Sequence, residues 1–118
     1  METLTELVTA DRERVERAYR YETATRALDN VQRRLPKCDA PIAYHAKQVA
    51  LIDKAIAAIE QIDGALVGKG GFRAQGVILS HLHYVKDDQA RRLAETTAKR
   101  DALQAQLPSL EKAVADFA

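Results

Sequence analysis

Apolar residues recur at intervals of three and four along most of the chain, which is the spacing of one face of an α-helix. Thr3 and Glu6 have the spacing of a capping box, and Pro36 disfavours helical geometry at the preceding residue. The pattern predicts one long helix over 3–35, whose first turns dock loosely because Asp11 and Arg14 interrupt the apolar stripe. The stripe consists of Leu4, Leu7, Val8, Val15, Ala18, Ala24, Leu28, Val31 and Leu35.

The most apolar segment follows and predicts a central helix over 40–67. Asp39 has the character of an N-cap residue, and Pro41 falls in the first turn, where its missing N–H costs little. The face expected to be buried carries Ile42, Ala46, Val49, Ile52, Ile56, Ile59, Ile62 and Leu66.

All five glycines lie between Gly64 and Gly76, and such clustering predicts a flexible hinge over 64–76. The residues from Val77 to Val85 are rich in types that favour strands and could pair with 65–67 across the glycines. An isolated two-stranded hairpin is marginal in water, so a helix is favoured there and the hairpin stays the alternative.

A heptad pattern predicts a third helix over 77–107, with apolar positions such as Leu82, Leu93 and Leu103. Three inward positions are polar and could specify register or partner: Gln89, Thr96 and Arg100. Pro108 should kink this helix or separate a short helix over 109–117.

Composition agrees with an all-α fold, because 21 alanines stand against five glycines and three prolines. We therefore expect a single domain over 1–118, built as an elongated, coiled-coil-like bundle of three long antiparallel helices. A helix over 3–35 would be roughly 50 Å long, whereas a compact domain of this size has a radius of gyration near ~13 Å. A helix of that length projects beyond a compact domain, which favours a homo-oligomer, or else a complex with another protein.

The charge balance argues against a large nucleic-acid interface. Eighteen basic and seventeen acidic residues leave a net charge of +1, far from the excess that phosphate binding favours. Seven basic residues, six of them arginines, also follow an acid by four residues, where the two side chains form stabilising pairs within one helix. These pairs are Glu13–Arg17, Glu16–Arg20, Glu22–Arg26, Asp29–Arg33, Asp87–Arg91, Asp88–Arg92 and Glu95–Lys99.

The glycine-rich loop is the exception, since Lys69, Phe72 and Arg73 have no acid nearby. A flexible basic loop with a stackable ring can bind single-stranded nucleic acid, so these three residues define an alternative nucleic-acid-binding site. In the structural interpretation, Phe72 anchors the loop on the helices and the two bases keep it hydrated.

The remaining chemistry predicts no catalytic residue, no metal site and no cofactor. His81 and His83 are two residues apart, which places them on different faces of a helix. Cys38 lies in a turn expected to be exposed, and His45 is the nearest residue that could serve as its base. The single cysteine, the absence of a visible secretory signal and the lack of a long apolar run favour a cytoplasmic protein without a membrane segment.

These observations together favour a non-enzymatic interaction module that binds another protein or itself through apolar helix faces. Adaptors, chaperones, inhibitors and structural or virion-scaffold proteins act in this way. The residues expected to contact a partner lie around the hinge and the third helix: Phe72, Val77, Ile78, Leu79 and Tyr84.

Overall fold

The computed structural model describes residues 3–64 and 68–118. Over these residues it contains three long α-helices, α1 (Leu4–Arg34), α2 (Asp39–Glu60) and α3 (Gly71–Phe117), with a 3-10 turn at Pro36–Cys38 between the first two. No strand occurs in this part of the chain, which confirms the all-α class. The predicted alternative of a hairpin is wrong for 77–85, which is helical, and its 65–67 half lies outside the described residues.

The start of α1 is set by the predicted capping box. The Glu6 N–H donates to Thr3 Oγ1 at 3.2 Å, and the Thr3 N–H donates to the Glu6 carboxylate at 3.0 Å. At the other end, the Leu35 N–H still donates to the Val31 carbonyl at 3.0 Å before Pro36 opens the 3-10 turn. Both ends of α1 are thus set by local chemistry that is visible in the sequence.

The turn before α2 differs from the prediction. Cys38 is buried, with 7% of its surface exposed, whereas the sequence predicts an exposed turn. It also occupies the N-cap position, without a side-chain capping bond, so that Asp39 is the first helical residue rather than the cap. An acid in the first turn still interacts favourably with the positive end of the helix, and Pro41 lies in that turn as predicted.

The glycine-rich segment is more helical than predicted. Positive φ angles occur only at Gly68 (110°) and Gly70 (83°) among the described residues, and α3 already begins at Gly71. The predicted hinge over 64–76 therefore loses its second half to α3, and the predicted start at residue 77 is wrong by six residues. Because Gly70 takes the left-handed conformation, the chain can reverse before α3 begins.

Pro108 lies inside α3, which continues to Phe117. Of the two predicted outcomes, a kink or a separate helix over 109–117, the separate helix is therefore wrong. Proline removes one backbone hydrogen bond and crowds the preceding turn, but apolar residues on one face continue across it and are half-buried on both sides. These residues are Leu107, Leu110 and Val114.

The chain divides into two compact units, and α3 contributes to both. One unit comprises the chain up to Pro36 together with Arg100–Ala118, and its buried residues include Ala24, Val31 and Leu103. The other comprises Lys37–Lys99, and its buried residues include Cys38 and Ile56. The single domain and the three-helix bundle predicted from the sequence stay predictions.

Candidate interaction site

In the unit formed by Lys37–Lys99, α2 and the first part of α3 run antiparallel. His45 Nδ1 lies 2.7 Å from Gln89 Oε1, and the Lys86 ammonium lies 2.6 Å from Asp53 Oδ1. The later residue of α2, Asp53, contacts the earlier residue of α3, Lys86, so the two helices are antiparallel. The hydrogen bond and charge of Asp53 raise the pKa of Lys86.

Gln75 closes the end of α2, a role that the sequence analysis missed. Its Nε2 group donates to the carbonyl oxygens of Ile59 at 2.7 Å and Ile62 at 2.8 Å. The last carbonyls of a helix have no partner within the helix, so this side chain on α3 acts as a cap from outside. α2 ends at Glu60 rather than at the predicted residue 67, so Ile59 lies in its last turn and Ile62 lies two residues beyond it. The Ile59 carbonyl also accepts from the Ile62 N–H at 3.1 Å.

Of the three polar residues predicted to point inward on α3, Gln89 contacts the neighbouring helix of its unit. Its partner His45 also packs edge-to-face against Tyr44, with ring centroids 5.3 Å apart. Thr96 donates instead to the Arg92 carbonyl within α3. Arg100 contacts the adjacent Asp101 at 3.3 Å. Of the three positions, Gln89 is therefore the one whose contact can fix the register of α2 against α3.

Four of the five residues predicted to bind a partner are well exposed. The exposed fractions are 68% for Phe72, 64% for Val77, 45% for Ile78 and 73% for Tyr84, whereas Leu79 is half-buried. One side of Phe72 is nevertheless in contact, because a Cβ atom added at Gly64 would lie 2.8 Å from Phe72 Cδ1. This contact agrees with the interpretation that Phe72 anchors the loop.

The helical geometry of α3 separates these residues into different faces. At about 100° per residue, Val77 and Tyr84 share one face, while Ile78 lies close to Gln89 on the side that packs against α2. These two faces are roughly 120° apart. The predicted residues therefore do not form one continuous surface.

The residues of the alternative nucleic-acid site remain close together in the chain and exposed. Lys69 lies in the turn between Gly68 and Gly70, and Arg73 lies in the first turn of α3. Both side chains are exposed, as is the larger part of the Phe72 ring.

A further exposed apolar surface, not among the predicted partner-binding residues, lies on the first half of α1. Five large side chains there are exposed by 48% to 78%, and we call them the α1 stripe: Leu4, Leu7, Val8, Val15 and Tyr19. At about 100° per residue they fall within an arc of roughly 120°, so they share one face of the helix. The expectation that these turns dock loosely agrees with this exposure.

The α1 stripe and the buried residues of α1 lie on opposite faces. Ala24 and Val31 are buried, yet they lie about 180° around the helix from the centre of the stripe. The single continuous stripe predicted over 3–35 is therefore wrong. The signal was present in the sequence, because the interval from Ala18 to Ala24 is six residues and breaks the three-and-four spacing.

The face of α1 opposite the stripe contacts the end of α3 within the same unit. Arg17 Nη2 donates to the carbonyl oxygens of Asp116 at 3.0 Å and Ala118 at 3.3 Å, and the Arg20 guanidinium lies 5.7 Å from the centre of the Phe117 ring. A cation near the carboxyl end of a helix is favourable, and so is one over an aromatic face. The residues line a cleft of about 400 Å³, completed by Ala10, Glu13, Arg14 and Glu16.

Arg17 and Arg20 thus depart from the ion pairs predicted for them, and Glu16 lies 3.4 Å from Arg12 instead. Three of the predicted pairs do form, namely Glu22–Arg26, Asp29–Arg33 and Asp88–Arg92.

On α3, Arg91 contacts Asp88 at 2.8 Å and Glu95 at 3.4 Å rather than Asp87. The hydrogen bond from Arg91 lowers the pKa of Asp88, and the same bond raises the pKa of Arg91. Many charges are thus engaged within their own helix, as expected, but with different partners.

No group of three His, Cys, Asp or Glu side chains suited to a metal ion occurs among the residues the structure describes. Nor does any helix in this described part have the length and apolar character needed to cross a membrane. No protein-family model, curated protein or solved structure matches this chain.

Proposed function

We propose that this chain is a non-enzymatic helical interaction module that binds another protein, or a second copy of itself, through an apolar helix face. The α1 stripe is the observation that carries the proposal. Isolated apolar side chains are ordinary on a protein surface, but a set confined to one helix face is typical of a binding surface. Adaptors, chaperones, inhibitors and scaffold proteins present such faces.

The spacing of the stripe suits recognition of one helix by another. Leu4, Val8, Val15 and Tyr19 repeat at intervals close to whole numbers of helical turns, which is how an amphipathic helix presents its anchors to a groove or to a partner helix. Val77 and Tyr84 on α3 form a second, smaller exposed pair. The proposal therefore moves the main contact surface from the predicted α3 residues to α1.

The finer architecture and the location belong to the same proposal. An antiparallel, coiled-coil-like bundle is supported by the antiparallel contacts of α2 with the first part of α3, including Gln89 with His45. A cytoplasmic location rests on the single cysteine of the sequence.

A triple variant tests the proposal directly. Leu4→Glu, Val8→Glu and Val15→Glu together place three charges on the stripe, and Thr5→Glu with Thr9→Glu is the control, because these threonines are exposed on other faces of α1. Each protein is immobilised and incubated with an extract of the cells that naturally contain it, or with the unmodified chain. We expect the wild type and the control to capture the same proteins and the triple variant to lose them.

Circular dichroism establishes that all three proteins keep their helical content. Equal capture by the triple variant and the wild type would contradict the proposal, because binding would then not depend on the stripe.

A second candidate function is the binding of single-stranded nucleic acid by Lys69, Phe72 and Arg73. The exposure of all three side chains around one tight turn favours it. A gel-shift titration at low and raised salt, with Lys69→Glu/Arg73→Glu as the variant, separates this function from the first. Affinity that falls with salt and disappears in the variant would favour nucleic acid, and no shift at low salt would exclude it.

A further inference from the structure

We infer that the α1 stripe is covered by α1 of a second copy of this chain, with the two helices antiparallel. This inference rests on the proposed function and names its partner. It follows from three features of α1: the symmetry of its apolar positions, the charges at the centre of the stripe, and the length of the exposed face.

Four of the five apolar positions of the stripe are arranged symmetrically about the midpoint between Asp11 and Arg12, and the fifth, Leu7, has Glu16 as its counterpart. Leu4 and Tyr19 lie at equal distances from that midpoint, and so do Val8 and Val15. A two-fold interface requires that each residue meet its counterpart reciprocally. Two antiparallel copies of α1 centred there bring Leu4 against Tyr19 and Val8 against Val15, each contact twice.

The charges at the centre favour the antiparallel orientation. Asp11 lies on the face of the stripe, about 20° from Leu4, and its side chain is 75% exposed. In the antiparallel pair Asp11 lies opposite Arg12 of the second copy. Arg12 is at the edge of the stripe, about 80° from Leu4, and its side chain is 79% exposed and lies 3.4 Å from Glu16 of its own helix. A parallel pair would instead bring the two Asp11 carboxylates together, and like charges across an interface are unfavourable.

The carboxylate of Asp11 would also not be left unpaired. Arg14 Nη1 already lies 3.5 Å from Asp11 Oδ1 in the same helix, so each Asp11 keeps one cation and gains a second from the other copy. An unpaired buried charge would oppose association strongly, and this arrangement avoids it. The opposite face of α1 stays in contact with Asp116, Phe117 and Ala118 of its own chain.

The size of the surface sets the expected affinity. The stripe extends over sixteen residues from Leu4 to Tyr19, a length of about 24 Å. A standard stable interface uses about 20–30 residues on each side, and the five apolar residues of the stripe with their flanking charges fall below that number. We therefore expect a dimer that dissociates in the micromolar range.

Sedimentation equilibrium of the full chain, from low micromolar to near-millimolar concentration, tests the association. The wild type should pass from monomer to dimer, and Arg12→Glu should weaken the dimer by about tenfold or more, because the introduced carboxylate then faces Asp11 of the second copy. The swap Asp11→Arg/Arg12→Asp restores opposite charges across the two-fold axis and should recover most of the affinity. Gln32→Glu, exposed on α1 outside the stripe, is the matched control and should leave the dimer unchanged.

Disulfide cross-linking tests the orientation. A mixture of Val8→Cys and Val15→Cys chains should cross-link faster than either variant alone, because position 8 faces position 15 in the antiparallel pair. Faster cross-linking of Val8→Cys alone would indicate parallel helices and would overturn the inference.

A wild type that stays monomeric at every concentration, or a dimer that Arg12→Glu does not weaken, would also overturn it. The two proposals remain distinguishable in that event: a monomeric chain whose capture of other proteins still depends on the stripe would retain the proposed function and lose only the second copy as its partner.

Discussion

Replacing Gln75 by glutamate should destabilise the unit formed by α2 and the first part of α3, although the side chain keeps its size. In the structure the Gln75 amide donates two hydrogen bonds, to the carbonyls of Ile59 and Ile62 at 2.7 and 2.8 Å. An ionised carboxylate has no hydrogen to donate. It would also lie against two carbonyl oxygens at the negative end of α2, where an anion is unfavourable.

The magnitude follows from the two lost bonds and the added repulsion. A hydrogen bond typically contributes ~0.5–1.5 kcal/mol net, and Gln75 is half-buried, so that water can replace part of the loss. We expect Gln75→Glu to lower the free energy of unfolding by about 2 kcal/mol at neutral pH. Gln75→Met removes the donors without adding charge and should cost about half as much.

The pH dependence separates repulsion from simple loss of packing. In the folded variant the nearby carbonyls raise the pKa of the carboxyl group introduced at position 75 above its unfolded value, which is about 4.3. The folded state then binds more protons than the unfolded state between these two pKa values, so the stability of the variant relative to wild type falls as pH rises through that window. Below the unfolded pKa the protonated acid can donate one hydrogen bond, and the deficit should shrink to that of Gln75→Met or less.

Urea denaturation followed by circular dichroism at pH 7 and near pH 4 provides the measurement. Gln106→Glu, exposed on α3, is the control for a general effect of added charge. Equal stability of Gln75→Glu and wild type at pH 7, or a deficit that does not change with pH, would refute the assignment of Gln75 as the cap of α2.

Three further changes test the packing by thermal or urea unfolding. Gly64→Ala should lower the free energy of unfolding by more than about 1 kcal/mol, because the added Cβ would lie 2.8 Å from Phe72 Cδ1 and 3.0 Å from the Phe72 backbone. Gly76→Ala is the matched control. It should raise the free energy of unfolding by ~0.5–1 kcal/mol, since Gly76 is helical and has open space around it. Ile56→Asp should prevent cooperative unfolding by placing a charge at a position 7% exposed, and a retained sharp transition would show that α2 is not part of the core. Pro108→Ala should stabilise by up to about 3 kcal/mol, as it restores a backbone donor inside α3; no gain would mean that the helix around Pro108 is already free of strain.

The features that the sequence predicted well are those governed by neighbouring residues. The all-α class followed from the periodic apolar positions and the abundance of alanine. The bounds of α1 followed from the capping box at Thr3 and Glu6 and from Pro36, because each of these acts within one turn of the chain.

The inner helix ends were predicted less well, because distant residues decide them. Near the end of α2, Gln75 of α3 binds the carbonyl of Ile59 in the last turn and that of Ile62 two residues beyond the helix. α3 begins at Gly71 although glycine disfavours helices, and it continues through Pro108. In each case packing outweighed local propensity.

The candidate interaction site also combines features set by neighbouring residues with features set by distant ones. The residues of the α1 stripe, their common face and the charges at Asp11 and Arg12 are all determined by the sequence, since they follow from the spacing of side chains along one helix. Which face of α1 is used inside the unit was decided only by the tertiary structure: Ala24 and Val31 are buried and Arg17 reaches the end of α3, while the stripe faces outward. The physical reason is that periodicity shows where apolar side chains lie around a helix, whereas burial depends on which neighbour the folded chain brings to that side.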